Sequence, residues 1–223
     1  MHKECIMDKG NSTSECSSRS SLRDRIIDVA LDDFTSQGIR SVTMDEVATK
    51  LGISKRTLYE VFADKEALLV DCILKLQGNA DAYAKGVYDQ AADVLEVLLK
   101  CYQYSIERLH KTNRKFFEEL KRYPKAYDVL SRHQHRDTEN VVNFFKRGVE
   151  QGLFRDDINY AIVNLLVHEQ LNMLMNSEVC KEYPFLEVYE SIMVTYIRGI
   201  STEKGARRLD EFMKEFHRSK KQE

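Results

Sequence analysis

Apolar residues recur at intervals of three and four along most of this 223-residue chain, the period of helices that bury one face. The pattern opens with Ile26, Ile27, Ala30, Leu31 and Phe34, a wide stripe that predicts a helix over residues 22–37. Gly38 closes it with the left-handed conformation that glycine adopts without a Cβ penalty. The next stretch, TMDEVATKLGISKRTLYEVF over residues 43–62, predicts two short helices joined by a sharp turn. Thr43 and Glu46 have the spacing of a capping box, Gly52 ends the first helix, and Ser54 caps the second. Val47, Ala48, Leu51, Ile53, Leu58 and Phe62 fall on the faces that meet across the turn, with Ala48 small where the helices approach closely. Lys55, Arg56, Thr57, Tyr59 and Glu60 are left facing outward. This is the layout of a helix-turn-helix whose second helix enters a DNA major groove, although the same spacing also occurs in helix pairs that never touch nucleic acid.

Asp64 caps a further helix with Leu68, Leu69, Cys72, Ile73 and Leu76 at its apolar positions, and the pattern weakens after Gly78. It returns from about residue 91 with Val94, Val97, Leu98, Cys101, Tyr104, Ile106 and Leu109. A polar break at residues 111–113 precedes a short helix carrying Phe116, Phe117 and Leu120. Pro124 marks its end or the start of the next. One long helix is predicted over residues 125–150, its apolar half being Val141, Val142, Phe144, Phe145 and Val149. After Gly152, two helices over residues 159–176 and 183–199 are the most sustained apolar stretches of the chain. Leu209, Phe212, Met213 and Phe216 then predict an amphipathic helix within residues 203–223, packed on the bundle rather than free. The polar residues 1–20 read as a disordered leader. The expected organisation is thus a leader (1–20), a DNA-binding domain (21–65), a helical regulatory and dimerisation domain (66–202) and a C-terminal amphipathic helix or tail.

Composition agrees with an all-α fold, a three-helix DNA-binding domain followed by a larger helical bundle. Two prolines, nine glycines and little strand-like alternation leave few residues to build sheets from. The net charge of −2 excludes a general polyanion binder. Within residues 19–62 the basic residues are offset by acids, so affinity for DNA must come from where the charges sit. The prediction is a local basic face made by the arginines of the first helix with Lys55, Arg56 and Lys65, the acids pointing elsewhere. Five cysteines without a CxxC pair argue against a disulfide framework or a structural zinc. With no apolar run of signal-peptide or membrane-span length, a reduced, cytoplasmic protein is expected. His133, His135 and Asp137 lack the spacing of a metal site. With no Gly-rich phosphate loop, nucleophile elbow or HExxH motif, neither an enzyme nor a cofactor is expected, and no fixed-period repeat is present.

The wording of residues 43–66 narrows the reading further. Thr43, Gly52-Ile53-Ser54, Thr57-Leu58-Tyr59, Phe62 and Lys65-Glu66 closely resemble the DNA-binding domain of the TetR family of bacterial repressors. Gly152 to Ile158 and Tyr196 to Ile200 resemble two shorter family features, so the likeness runs over most of residues 22–202 and is strongest in the first third. The resemblance implies that the fourth helix links the DNA-binding domain to the regulatory bundle and transmits its signal.

On this reading the partner is a double-stranded DNA operator. Thr43, Tyr59 and Lys65 are candidates for phosphate contacts, and Lys55 and Arg56, flanked by Thr57, for reading base edges. Glu60 can accept from a cytosine amine or pair with Arg56 four residues earlier, and pairing is favoured. For Tyr59 the alternative is a packed aromatic with its hydroxyl at the rim. The resemblance also implies a homodimer through the last two long helices, with Ile162, Leu165, Leu166, Met173, Ile192, Met193 and Tyr196 as candidates. The bundle would enclose a small hydrophobic or amphipathic effector, with Cys101, Tyr104, Phe117, Leu120, Tyr127, Phe144, His168 and Asn172 as candidate lining, each of which can equally be plain core. His168 and Asn172, four apart on one helix face, can instead pair across the dimer. The function expected is a ligand-released, homodimeric repressor, and the alternative is a helical protein-interaction adaptor without a small-molecule inducer.

Overall fold

The computed structural model describes residues 12–133, 138–176 and 179–219, with backbone only at 12–20, His133, Thr138, Asn172, Met173, Met175, Asn176 and Lys181. His135 and Asp137, set aside above as metal ligands, and the first part of the expected leader lie outside the described residues. The described residues form twelve helices and no strand longer than an isolated bridge.

The first helix, α1 (Ser12–Gln37), starts ten residues ahead of the predicted position, so part of the expected leader continues it. No proline or glycine interrupts that run. Helices α2 (Met44–Leu51) and α3 (Lys55–Val61) follow. The capping box is complete: the Glu46 backbone N–H donates to Thr43 Oγ1 at 3.2 Å, and the Thr43 N–H donates to Glu46 Oε2 at 2.7 Å. Gly52 ends α2 at φ 65°, and Ile53 N–H donates back to the Ala48 carbonyl at 3.0 Å. Ser54 Oγ accepts from the Thr57 N–H at 3.0 Å, which fixes where α3 starts. Ile26, Ala30, Phe34, Val47, Ala48, Leu58 and Phe62 close around one another.

That interior is not completed by the three helices alone. The 24-residue α4 (Lys65–Tyr88), about 36 Å long at the helical rise, adds Leu68, Leu69, Cys72 and Ile73 to it. Burial pushes the Cys72 thiol far above its ordinary value. After α5 (Val94–Lys111), the short α6 (Arg114–Leu120) and α7 (Pro124–His133) contribute Phe116, Leu120 and Ala126 to the same cluster. The DNA-binding domain therefore shares its core with the bundle across the boundary expected at residues 65 and 66. The expected single helix over 125–150 is described as α7 and α8 (Thr138–Glu150), with the four residues between them outside the described set.

A second cluster is built by α5, α8, α9 (Tyr160–Asn176), α11 (Phe185–Ile200) and α12 (Glu203–Ser219), the short α10 (Val179–Glu182) preceding α11. Phe154 sits against Phe145 and so close to Gly148 that a Cβ there would lie 2.0 Å from its ring. The turn is pinned where Arg155 N–H donates to the Ile200 carbonyl at 2.9 Å and Thr202 N–H to the Leu153 carbonyl at 3.0 Å. Helix α12 docks as its periodicity predicted, burying Leu209, Met213 and Phe216 and pairing Arg208 with Asp93.

The turn between α5 and α6 holds α1 directly. Asn113 N–H donates to the Thr35 carbonyl at 2.6 Å, Asn113 Nδ2 to Ser36 O at 3.1 Å, and the Arg40 N–H to Glu119 Oε2 at 2.7 Å. Gly38, at φ 91°, lies against this contact, where an added Cβ would come within 2.9 Å of Lys115 Cβ. Gly38→Ala is therefore expected to destabilise the chain by about 1 kcal/mol or more, measured by urea unfolding. Trimming Lys115 to alanine should not restore the loss, because the strained φ remains.

Candidate functional site

The turn geometry presents α3 with Leu58 fully buried and Lys55, Arg56, Tyr59 and Glu60 on the outside. Tyr59 is 50% exposed, so its ring is not the packed aromatic considered as its alternative. Arg56 Nε donates to Glu60 Oε1 at 3.0 Å, the pairing favoured from spacing, while Lys55 pairs with Asp45 of α2. These contacts lie at the surface, and exposed pairs of this kind contribute only about 0–1 kcal/mol. Both cations therefore remain available to exchange partners with a polyanion. Thr43 and Thr57 are half committed: the Thr43 hydroxyl donates to Glu46 Oε2 at 2.9 Å, and the Thr57 hydroxyl lies 2.8 Å from Ser54 Oγ.

The expected bare basic face is corrected by the structure, because the acids are interleaved with the bases. Arg23 donates to Asp71 at 2.5 Å and lies 4.4 Å from the Phe62 ring centroid, a staple from α1 to α3 and α4. Lys50 pairs with the buried Asp33, and Lys75 with Asp28 at 2.5 Å. Lys65 is likewise tied down. Its ammonium donates to the Val42 carbonyl and lies 5.8 Å from the Phe34 ring centroid. Burial pulls its pKa down, against the opposing charges of Glu119 and Glu46. Lys65 thus acts first as a structural link from the start of α4 to the strand-like residues before α2.

In the bundle, α4, α5, α6, α7, α9 and α11 surround a cavity of about 260 Å³. Its wall is mainly apolar, with Leu76, Leu109, Phe116, Phe117, Leu130, Leu171, Leu174 and Phe185, and carries Thr35, Ser105, Arg108, Thr112, Tyr127, Ser131 and Tyr189 as polar groups. Of the residues expected to line a pocket, Phe117 and Tyr127 do. Leu120 belongs to the core beneath α1, and Phe144 packs against Phe145 and Tyr88. Tyr104 stacks on Tyr83 at 4.2 Å, and Cys101 and His168 are half-buried away from the cavity wall. Asn172 and Met173 have side chains outside the described set. Arg108, Ser105 and Tyr189 were missed by sequence reading. The available signal was a lone arginine inside the apolar repeat of α5, one helical step from Ser105.

The helices expected to pair subunits divide differently from the prediction. Ile162, Leu165 and Leu166 of α9 are 54%, 47% and 55% exposed, a continuous apolar stripe. Met193 and Tyr196 of α11 instead pack on their own chain's second core, Tyr196 edge-on to Phe145 at 6.3 Å, and Ile192 is half-buried. Burial pushes the Tyr196 hydroxyl well above its ordinary pKa.

A capped helix-turn-helix with an outward second helix, set on a cavity-bearing helical bundle, is the architecture of a DNA-binding transcriptional regulator. Residues 26–72, the DNA-binding segment, match the family model described as "Bacterial regulatory proteins, tetR family", and the chain is similar to HTH-type transcriptional regulators. Among its relatives, the HTH-type transcriptional repressor KstR2 of Rhodococcus jostii (strain RHA1) is 28% identical over 156 residues, covering 66% of this chain and 75% of that protein. A TetR-family regulator from Agrobacterium tumefaciens has the same fold at a TM-score of 0.63 and 14% identity, over 82% of this chain and 100% of the other. A transcriptional regulator from Saccharomonospora viridis, solved in complex with choline, aligns at a TM-score of 0.60 and 18% identity over 82% of this chain and 100% of that one. No helix among the described residues is long and apolar enough to cross a membrane.

The cap of α2 offers a test of the domain's electrostatics. Hydrogen bonds from Thr43, the backbone N–H first, hold the Glu46 carboxyl below its ordinary value. A carboxyl depressed in the folded state adds stability above its unfolded pKa and loses it as pH falls through the folded one. Melting curves of the parent and Glu46→Gln should differ at neutral pH and converge as pH drops from about 5 to 3. A gap that stays constant over that range refutes the ionic cap.

Proposed function

We propose that this regulator is a homodimeric repressor that holds its operator through the α3 helices of two subunits and leaves it when a small amphipathic effector enters the bundle. The single observation carrying the reading is the outward face of α3, where Lys55, Arg56 and Tyr59 stand exposed beside a buried Leu58. In the proposed complex Tyr59 donates to a phosphate, and Thr43 joins it by turning its hydroxyl from Glu46. Lys55 and Arg56 exchange their carboxylates for guanine O6 and N7 or for neighbouring phosphates. Lys65, engaged with Val42, keeps that chain position in register, and its charge adds to the local field.

One α3 helix touches few base pairs, so discrimination requires two at the spacing of successive major grooves. The exposed Ile162, Leu165 and Leu166 stripe supports an isologous contact between two α9 helices, with α11 flanking it. Repression by KstR2 supports the repressor reading by kinship, and the choline complex of the Saccharomonospora protein supports a bundle that takes a small molecule. Release follows by linkage: an effector that fits only the arrangement with the α3 helices misplaced lowers DNA affinity by its differential affinity for the two arrangements.

Retention of genomic fragments at increasing salt tests the reading. A specific subset should survive as salt rises. Tyr59→Phe should weaken that subset about 5- to 10-fold, the loss of one hydrogen bond, with an unchanged salt slope, since no charge is removed. Leu166→Glu should convert the dimer to monomer in sedimentation at micromolar concentration and cost about 100-fold or more in fragment affinity through lost bivalency. A parent protein that sediments as a monomer, or that retains all fragments equally, overturns the proposal.

A further inference from the structure

The bundle cavity has an electrostatic asymmetry that selects its occupant. Among the described residues on its wall, Arg108 alone carries a charge. One Nη1–H donates to the Leu76 carbonyl at 3.1 Å, and the guanidinium carbon lies 5.6 Å from the Tyr104 ring centroid. Among the described residues no carboxylate forms an ion pair with it. A guanidinium has five N–H donors in a fixed fork that matches a carboxylate. Half-buried beside apolar surface, it carries a desolvation cost that an anion would offset. Ser105, whose hydroxyl donates to the Cys101 carbonyl at 2.9 Å, stands one helical step away on the same face of α5, and Tyr189 of α11 lies on the same wall. The remaining wall, including Phe117, Leu130 and Leu174, is hydrocarbon.

We propose that the effector is an amphipathic carboxylate: its acid group pairs with Arg108 beside the Ser105 and Tyr189 hydroxyls, and its apolar body lies between Phe117 and Leu174. This rests on the effector reading above and names its chemical class. At about 30 Å³ for each water-sized group, the cavity of about 260 Å³ holds a body of roughly nine such groups, the scale of a medium-chain acid. The choice of Arg108 also supplies a mechanical consequence. The same guanidinium holds a carbonyl of α4, the helix that completes the DNA-binding core, so an anion drawing on Arg108 acts directly on the α5–α4 contact.

The test uses the full-length protein with octanoate and decanoate, the matching 1-alcohols, and the matching alkylamines as probes, followed by calorimetric titration and thermal shift. The parent should bind the carboxylates at least 10-fold more tightly than the alcohols and should not bind the amines measurably. Arg108→Met should bring the carboxylate and the alcohol to similar affinity, and Arg108→Lys should keep part of the preference. If Arg108→Met fails to fold, the parent's preference among the three head groups decides the matter. Equal binding of acid and alcohol, tighter binding of the amine, no binding of any probe by the folded parent, or an undiminished preference in Arg108→Met overturns the assignment. Fragment retention by the unliganded parent is measured alongside. Its absence would remove the repressor reading whatever the probes do, and a lost carboxylate preference with intact retention would remove the effector class alone.

Discussion

The apolar interior beneath the recognition helix is closed by residues of the bundle, and everything else in the molecule depends on that shared packing. Helices α1 to α3 do not close their interior by themselves. Leu68, Leu69, Cys72 and Ile73 of α4, with Phe116, Leu120 and Ala126 from α6 and α7, supply what α1 to α3 lack. Close-packed cores shift between discrete arrangements more readily than they deform continuously. Helix α3 shares one packed interior with α4 and α6.

Polar contacts join the two parts at several places, including Arg23 to Asp71 and Lys75 to Asp28 between α1 and α4. Asn113 on Thr35 and Ser36, and Glu119 on the Arg40 backbone, form a seam around the end of α1. Gly38 sits in that seam because only a residue without a Cβ can combine its left-handed backbone with the approach of Lys115. The cavity lies immediately behind the seam, touching Thr35 of α1, Leu76 of α4 and Phe116 of α6. The cavity wall and the seat of the DNA-binding domain thus share side chains.

Charge is distributed on a different logic from packing. The DNA-binding domain is nearly neutral, and several of its bases are held by acids on adjacent helices, as Arg23 is by Asp71, Lys50 by Asp33 and Lys55 by Asp45. Such pairing orients helices without building a strong field. In the proposed complex, sequence discrimination would then fall to the short exposed edge of α3 and to its doubling in a dimer.

Local chemistry was legible in the amino-acid order alone. The capping box at Thr43 and Glu46, the left-handed Gly52, the Ser54 cap and the outward set on α3 each depend on residues within one or two helical turns, and α12 followed from periodicity in the same way. Other features depended on which helices meet. The order did not show that Lys65 would turn to Val42 or that Arg23 would lie over Phe62. Nor did it show that Leu120 would sit beneath α1 while Arg108 faced a cavity, or that Met193 and Tyr196 would be spent on their own core while α9 kept an apolar stripe outside. An amphipathic helix specifies that a face is buried, and its sequence has the same periodicity whether the neighbour is its own chain, a ligand or a second subunit. Only long-range packing assigns each face its partner.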